Sequence, residues 1–309
     1  MGHGSGQFPR GGEPSRSLTH QFQRGHRRPT RRLAYERTGA GPAVVLLHGC
    51  PSDRTEYRGV VPLLTAADVV VPDLRGFGES DKHPADPTTQ YSAEAQARSI
   101  IGLIQELGLD RPVLAGHDIG SRIAQAVGRD RPDVVRALVL TPPLPRIGER
   151  ILTPAAQQEF WYVPFHQLPL ADELIDGRPD AVRGYLHHFW THWSGPGFAL
   201  TEDHLEHLVA LYAEPGAFTA SIRWYRVGSG GLARVAAEPV PQPAERITVP
   251  TTVLWPEHDP LFPTHWSDRL DQFFTNLRLL YVDGGHFLPL ECPREFAAAV
   301  TTAAATTPV

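Results

Sequence analysis

The sequence predicts an α/β protein: a mostly parallel sheet flanked by helices, interrupted by one helical insertion. Three observations carry this. Short continuous apolar runs recur at 43–47, 69–71, 113–115, 137–140, 252–255 and 279–282, as expected for strands covered by helices on both faces. Helix-period stretches separate several of them, the pattern of a doubly wound sheet. Between about 144 and 245 the alternation stops, and the chain becomes helical in pattern and dense in aromatics and histidines. An insertion there is expected to cap the strands' C-terminal ends, where open α/β sheets bind ligands.

The elements follow in order. Residues 1–29 are rich in Gly, Ser, Arg and His with almost no aliphatic side chains. Such a segment buries too little apolar surface to offset its ordering entropy, so a disordered tail is expected. Residues 32–37 alternate as a strand, and Gly39-Ala40-Gly41-Pro42 turns. Ser92 is placed to N-cap a helix with Ala93, Ala97, Ile100, Ile101, Ile104 and Leu107 on one face. Further helices are expected at 121–130, 265–274 and 293–304. The expected division is a core of 30–143 and 246–309 and a cap of 144–245.

A net charge of −5 over 309 residues gives no electrostatic footprint for nucleic acid or a membrane surface. No run approaches the ~20 apolar residues that span a bilayer. Arg27-Arg28 and Arg31-Arg32 are not followed by an apolar core, so no secretion signal is read. Two cysteines, Cys50 and Cys292, make no disulfide framework and fit a reducing, cytoplasmic setting.

The chemistry concentrates at strand ends. Gly116-His117-Asp118-Ile119-Gly120 lies between a strand and a helix and has the G-x-Nu-x-G form of a nucleophile elbow, with Asp as nucleophile. A helix-capping Asp in an ordinary turn would also fit the pentapeptide. His48-Gly49-Cys50-Pro51 follows the strand 43–47; in such a fold its backbone and that of the residue after the nucleophile form the oxyanion hole, here Cys50 and Ile119. Asp259 follows the strand 252–255, and His286 follows the strand 279–282. The order Asp118, Asp259, His286 is nucleophile, acid, base. Thr141-Pro142-Pro143, after 137–140, offers no carboxylate, which favours Asp259 as the acid. A carboxylate nucleophile is already ionised at neutral pH. It can therefore attack a saturated carbon directly, leaving the histidine free to activate water against the resulting ester.

On these residues the chain resembles the α/β-hydrolase fold, in its epoxide hydrolase and haloalkane dehalogenase group. Asp73-Leu74-Arg75-Gly76-Phe77-Gly78-Glu79-Ser80 is similar to that group's D-x-R-G-x-G-x-S segment, read as scaffolding. Residues 160–167 resemble the W-Y-x-x-F-H-Q segment of bacterial epoxide hydrolases, and 222–226 the x-x-[WY]-Y-R segment. The resemblance covers roughly 32–304. It implies that Tyr162 and Tyr225 donate to the epoxide oxygen, and that the product is a vicinal diol. His48, Pro51, Trp161, Phe165, Trp224 and Phe287 are expected to line the substrate site. The expected substrate is a small epoxide, apolar or aryl-bearing, with no cofactor and no metal.

Two alternatives stand beside this. A haloalkane or haloacid dehalogenase would use the same Asp118, but the side chain of Ile119 offers no N–H for a halide. The fluoroacetate dehalogenase pattern resembles D-R-x-x-R, of which only Arg122 is present, and Arg122 could instead pair with a carboxylate of the protein. A non-catalytic ligand-binding protein of the same fold is the other; the complete acid–base set weighs against it. His188 with His192, and His204 with His207, have helical spacing without the H-E-x-x-H form, so packing is expected there and not metal.

Overall fold

The computed structural model describes residues 17–22, 31–84, 86–145, 147–227 and 236–305; for 17–22 and residue 31 only the backbone course is described. Eight strands form one sheet in the order β1-β2-β4-β3-β5-β6-β7-β8. They are β1 Ser17–Phe22, β2 Arg31–Gly39, β3 Ala43–Leu47, β4 Asp68–Pro72, β5 Val113–Gly116, β6 Ala137–Leu140, β7 Thr251–Pro256 and β8 Leu277–Val282. β2 pairs antiparallel with β1 and β4, and all other neighbours are parallel.

The apolar runs become strands because both their faces are covered. Alternate residues of β3 enter two separate cores, Val45 and Leu47 in one, Val44 and Leu46 in the other. All four are fully buried, which favours the folded state by roughly 1.5–3 kcal/mol for each. α2 (Ala93–Glu106) and α3 (Ile119–Asp130) cover one face. α11 (Pro293–Ala305) covers the other through Phe296 and Val300. Ser92 caps α2 by accepting the Ala95 N–H at 3.1 Å. A short helix α1 (Pro87–Gln90) precedes α2, and α10 (Leu288–Glu291) precedes α11.

Two expectations need correction. The segment 17–22, expected to be disordered within 1–29, pairs with β2 as an edge strand. Backbone hydrogen bonding to a neighbouring strand does not require apolar side chains. The rest of 1–29 lies outside the described residues. The segment expected as an α-helix at 265–274 winds as a 3-10 helix, Thr264–Gln272. There Ser267 Oγ takes the Thr264 carbonyl at 2.7 Å, a local bond that competes with α-helical pairing.

Between β6 and β7 the chain forms α4 (Pro154–Glu159), α5 (Tyr162–Gln167), α6 (Pro169–Ile175), α7 (Pro179–His192), α8 (Glu202–Tyr212) and α9 (Ala217–Arg226). This insert is anchored on the loops that leave the strands' C-terminal ends. Trp190 Nε1 and the Tyr212 hydroxyl donate to the carbonyls of Pro51 and Ser52, after β3. The His286 N–H, after β8, donates to Trp193 O at 2.8 Å. α5 and α9 are joined to each other: Gln167 donates to Tyr225 O, and Arg226 Nε to His166 O.

The scaffolding reading of 73–80 agrees with its contacts. Ser80 Oγ bridges Ala34 N–H and Asp73 O. Gly78 has φ +49°, and a Cβ there would strike the Asp73 carboxylate. Only glycine combines that backbone with that approach.

Candidate active site

β5 ends at Gly116 and α3 begins at Ile119, so two residues make the turn. A Cβ on Gly116 would meet the Gly120 carbonyl, and one on Gly120 would meet the Leu47 carbonyl. The glycines of the pentapeptide are therefore steric necessities. Asp118 sits at φ 48°, ψ −120°, a backbone region that non-glycine residues seldom occupy and that concentrates at functional sites. Its side chain makes no capping bond to α3, so the carboxylate is not spent on capping the helix.

That carboxylate meets the loop after β3. The Cys50 N–H donates to Asp118 Oδ2 at 2.8 Å, and the Ile119 N–H is the second backbone amide that favours its charged form. Burial pushes Asp118 above the usual carboxylate range, opposed by His286, His117 and the two amides.

His286 Nδ1 lies 2.8 Å from Asp259 Oδ2, and both side chains are buried. Asp259 Oδ1 accepts the Leu261 N–H at 2.8 Å, which fixes the carboxylate. His286 Nε2 is buried without a hydrogen-bond partner among the described residues. Burial pulls this imidazole down, but the charges of Asp259 and Asp118 outweigh it, and its pKa ends above 6.5.

Tyr162 on α5 and Tyr225 on α9 meet edge to face, with ring centroids 5.5 Å apart. Burial, then the Asp118 charge, holds the Tyr162 phenol well above its ordinary pKa. Burial, then Cys50 and Asp118, does the same for Tyr225. Both are therefore protonated, and the Asp118 charge lies close enough to act on each. Behind them His166 contacts both rings, at 5.6 and 4.7 Å. Burial, then Arg226, lowers it to about 3, so it is neutral.

The residues expected to line the site divide. His48 faces the scaffold: its Nε2 accepts the Leu74 N–H at 2.9 Å, and its Nδ1 meets Gly49 O at 2.8 Å. Both nitrogens are occupied, so it shapes the loop and has none left for a ligand. Pro51 offers its carbonyl to Trp190. Phe287 lies within 5.3 Å of the His286 ring but stacks on Trp190 at 3.7 Å. Trp161 is 40 % exposed and stacks on Phe189, with Phe165 at its side. Trp224 is buried in the main core, without a ring contact to the Asp118 neighbourhood among the described residues. The positions of Trp161 and Phe165 depend on which face of a short helix turns inward, and α5 is too short for a periodic pattern to set that.

Sequence reasoning missed four residues. Trp193 follows α7 and packs its ring 5.0 Å from His286 and 5.2 Å from Tyr162. Glu291 accepts the N–H groups of Gly285, Phe287 and Gly195, each at 2.8–2.9 Å. It thereby brackets His286 on both sides and ties the insert to that loop. Glu56 and His117 lie behind the elbow, their Oε1 and Nδ1 2.6 Å apart and both side chains buried. Only the position of His117, next to Asp118, hinted at any of them. Arg122 pairs with Glu238 at 2.8 Å, the alternative to gripping a substrate carboxylate. The spaced histidines also have separate partners: His192 Glu159, His204 Arg58, and His207 Asp53.

Residues 42–293 match the family model of the alpha/beta hydrolase fold. The chain belongs to the α/β-hydrolase family. Asp118, Asp259 and His286 of this α/β-hydrolase stand after β5, β7 and β8, the chain order expected of its acid–base machinery. It is 27% identical over 278 residues to a soluble epoxide hydrolase of Corynebacterium sp. (strain C12), covering 85% of this chain and 90% of that one. It is 32% identical over 195 residues to a fluoroacetate dehalogenase of Burkholderia sp., covering 62% and 64%. Among solved structures it is similar to the epoxide hydrolase CorEH, with a TM-score of 0.76 and 25% identity over 93% of this chain and 98% of that one. No helix among the described residues is long and apolar enough to cross a membrane.

Proposed function

We propose that this α/β-hydrolase is an epoxide hydrolase that adds water to a small epoxide through an ester on Asp118, with the insert acting as its cap. The observation that carries the reading is a pair of buried phenols in mutual contact, both raised in pKa by the charge of a buried carboxylate that the Cys50 amide already holds. The identity to the Corynebacterium enzyme supports it.

In the first step Asp118 attacks a ring carbon and a C–O bond opens. The departing oxygen takes a proton from one tyrosine while the other hydrogen-bonds it. In the second step water attacks the ester carbonyl, and its proton passes to His286 Nε2, which Asp259 holds in orientation through Nδ1. The oxyanion develops on Asp118 itself, where the Cys50 and Ile119 amides point. Collapse returns the carboxylate and releases the diol, and the proton on His286 restores the tyrosine. Ester formation also removes the Asp118 charge. That charge is one of the terms holding His286 up, so the histidine becomes easier to deprotonate when a base is needed.

The aromatic surroundings of the two tyrosines fit an apolar or aryl-bearing epoxide. Two free cysteines favour a reducing, cytoplasmic setting.

Dehalogenation by the same Asp118 is a second reading, favoured by the Trp193 indole in the ring cluster and by the Burkholderia relative. Against it, Arg122 is engaged by Glu238 and Ile119 brings no side-chain donor. Two measurements decide. A single turnover in heavy-oxygen water is expected to label Asp118 and leave the diol unlabelled; direct labelling of the diol would overturn the ester route. Halide release from haloacids or haloalkanes faster than diol formation from epoxides would favour the second reading.

A further inference from the structure

A buried glutamate–histidine pair behind the nucleophile is left over once the acid–base set and the tyrosines have been assigned. Glu56 belongs to the 3-10 turn Arg54–Tyr57 after β3, and His117 precedes Asp118 in the elbow. Both side chains are 0% exposed, and His117 Nδ1 lies 2.6 Å from Glu56 Oε1. Neither atom has another hydrogen-bond partner among the described residues. A buried carboxylate without a partner would be costly, so Glu56 is explicable only with His117 beside it.

The pair touches both sides of the reacting carboxylate. Glu56 Oε2 accepts the Gly49 N–H at 3.0 Å, and Gly49 precedes Cys50, whose amide holds Asp118 Oδ2. The elbow packs against that same glycine. A Cβ on Gly49 would lie 2.6 Å from His117 Nδ1 and 2.7 Å from Asp118 Cβ. One carboxylate thus links the oxyanion loop to the nucleophile turn.

We propose that Glu56 and His117 are positioning residues: a buried pair that ties the Gly49–Cys50 loop to the nucleophile turn and holds the Cys50 amide against Asp118 Oδ2. This rests on the epoxide hydrolase reading. Burial alone raises the Asp118 pKa, and His117 is among the groups that lower it again. Glu56 is held below its ordinary range: burial raises it, and His117, the Gly49 amide and His48 more than offset that. Other charged or titratable groups surround the pair. Asp118 also faces His286, Cys50, Tyr162 and Tyr225. Glu56 also acts on Tyr57, His204 and His286.

The test compares wild type with Glu56→Gln, which keeps an acceptor for Gly49 and removes the charge, and with His117→Gln. The first readout is the pH profile of alkyl-enzyme formation with styrene oxide, in pre-steady-state bursts. The acid limb is expected to move up by about one pH unit in each variant, and by no more in the double variant. Glu56→Asp is expected to restore the wild-type limb. The second readout is the titration of the Asp118 carboxyl by carbon-13 NMR in the resting protein, expected to move up by the same amount. A rate loss with an unmoved acid limb would reduce the pair to a packing role and overturn the proposal. Should Glu56→Gln fail to fold, His117→Gln decides by the same criteria. Absence of any alkyl-enzyme in wild type would sink the epoxide reading, while the NMR titration would still judge the Glu56–His117 pair.

Discussion

The loops at the strand ends and the helical insert both supply the site, but they hold their residues by different means. Asp118, Asp259 and His286 are placed by backbone geometry: two glycines that cannot carry a Cβ, a strained φ of 48°, and amides that grip each carboxylate. Tyr162 and Tyr225 are placed by ring packing among Phe189, Trp193 and His166. The first region has little room to deform, and the second can repack. On the proposed mechanism, the chemistry that must not move sits at the strand ends, and the donors to the epoxide oxygen sit on the insert.

Removing both phenols breaks the insert's share most severely. Tyr162→Phe with Tyr225→Phe is expected to slow ester formation by about 10²–10⁴-fold, the usual worth of general-acid assistance, with stability little changed. Stopped-flow bursts measure this, and retained activity would mean that the insert contributes only enclosure. A smaller effect is expected where the two regions join. Glu291→Gln weakens the three amide bonds that link Gly195 to the His286 loop. It should cost roughly 1–3 kcal/mol of stability and slow ester hydrolysis more than ester formation, as thermal melts and single-turnover kinetics would reveal.

The pH dependence sharpens the same comparison. His286 must be neutral to accept a proton, and its pKa in the free protein is raised. Ester hydrolysis should therefore rise with pH through the His286 pKa of the intermediate. The Asp118 charge is absent there, so this limb should lie at lower pH than the His286 titration in free enzyme. Coincidence of the two would contradict a covalent role for Asp118. The smallest effect is expected at Trp161, adjacent to Tyr162 but 40 % exposed and stacked outward on Phe189. Trp161→Ala should change kcat/KM by less than about threefold, within the range of ordinary surface changes.

This division also sets how much the sequence alone revealed. β3 and β6 are legible to the residue, because strands buried on both faces are short and wholly apolar. Asp118, Asp259 and His286 are legible because strand ends and glycine turns are written locally. The outward turn of Trp161 is not, since a six-residue helix has no periodicity to read. Trp193 with Tyr162, Glu56 with His117 and Glu291 with Gly195 meet across long stretches of chain, and no local pattern encodes those contacts. The edge strand β1 is not legible for another reason: backbone pairing with β2 holds it, and no run of apolar side chains marks it.

The central claim is a covalent ester on Asp118, and His286→Gln tests it most directly. This substitution removes the base of the second step and leaves the nucleophile, its amides and both phenols in place. Incubated with styrene oxide, the variant is expected to gain the mass of one epoxide per chain, located on the peptide that carries Asp118. An unchanged mass with diol still produced, or an adduct on any other residue, would contradict the account.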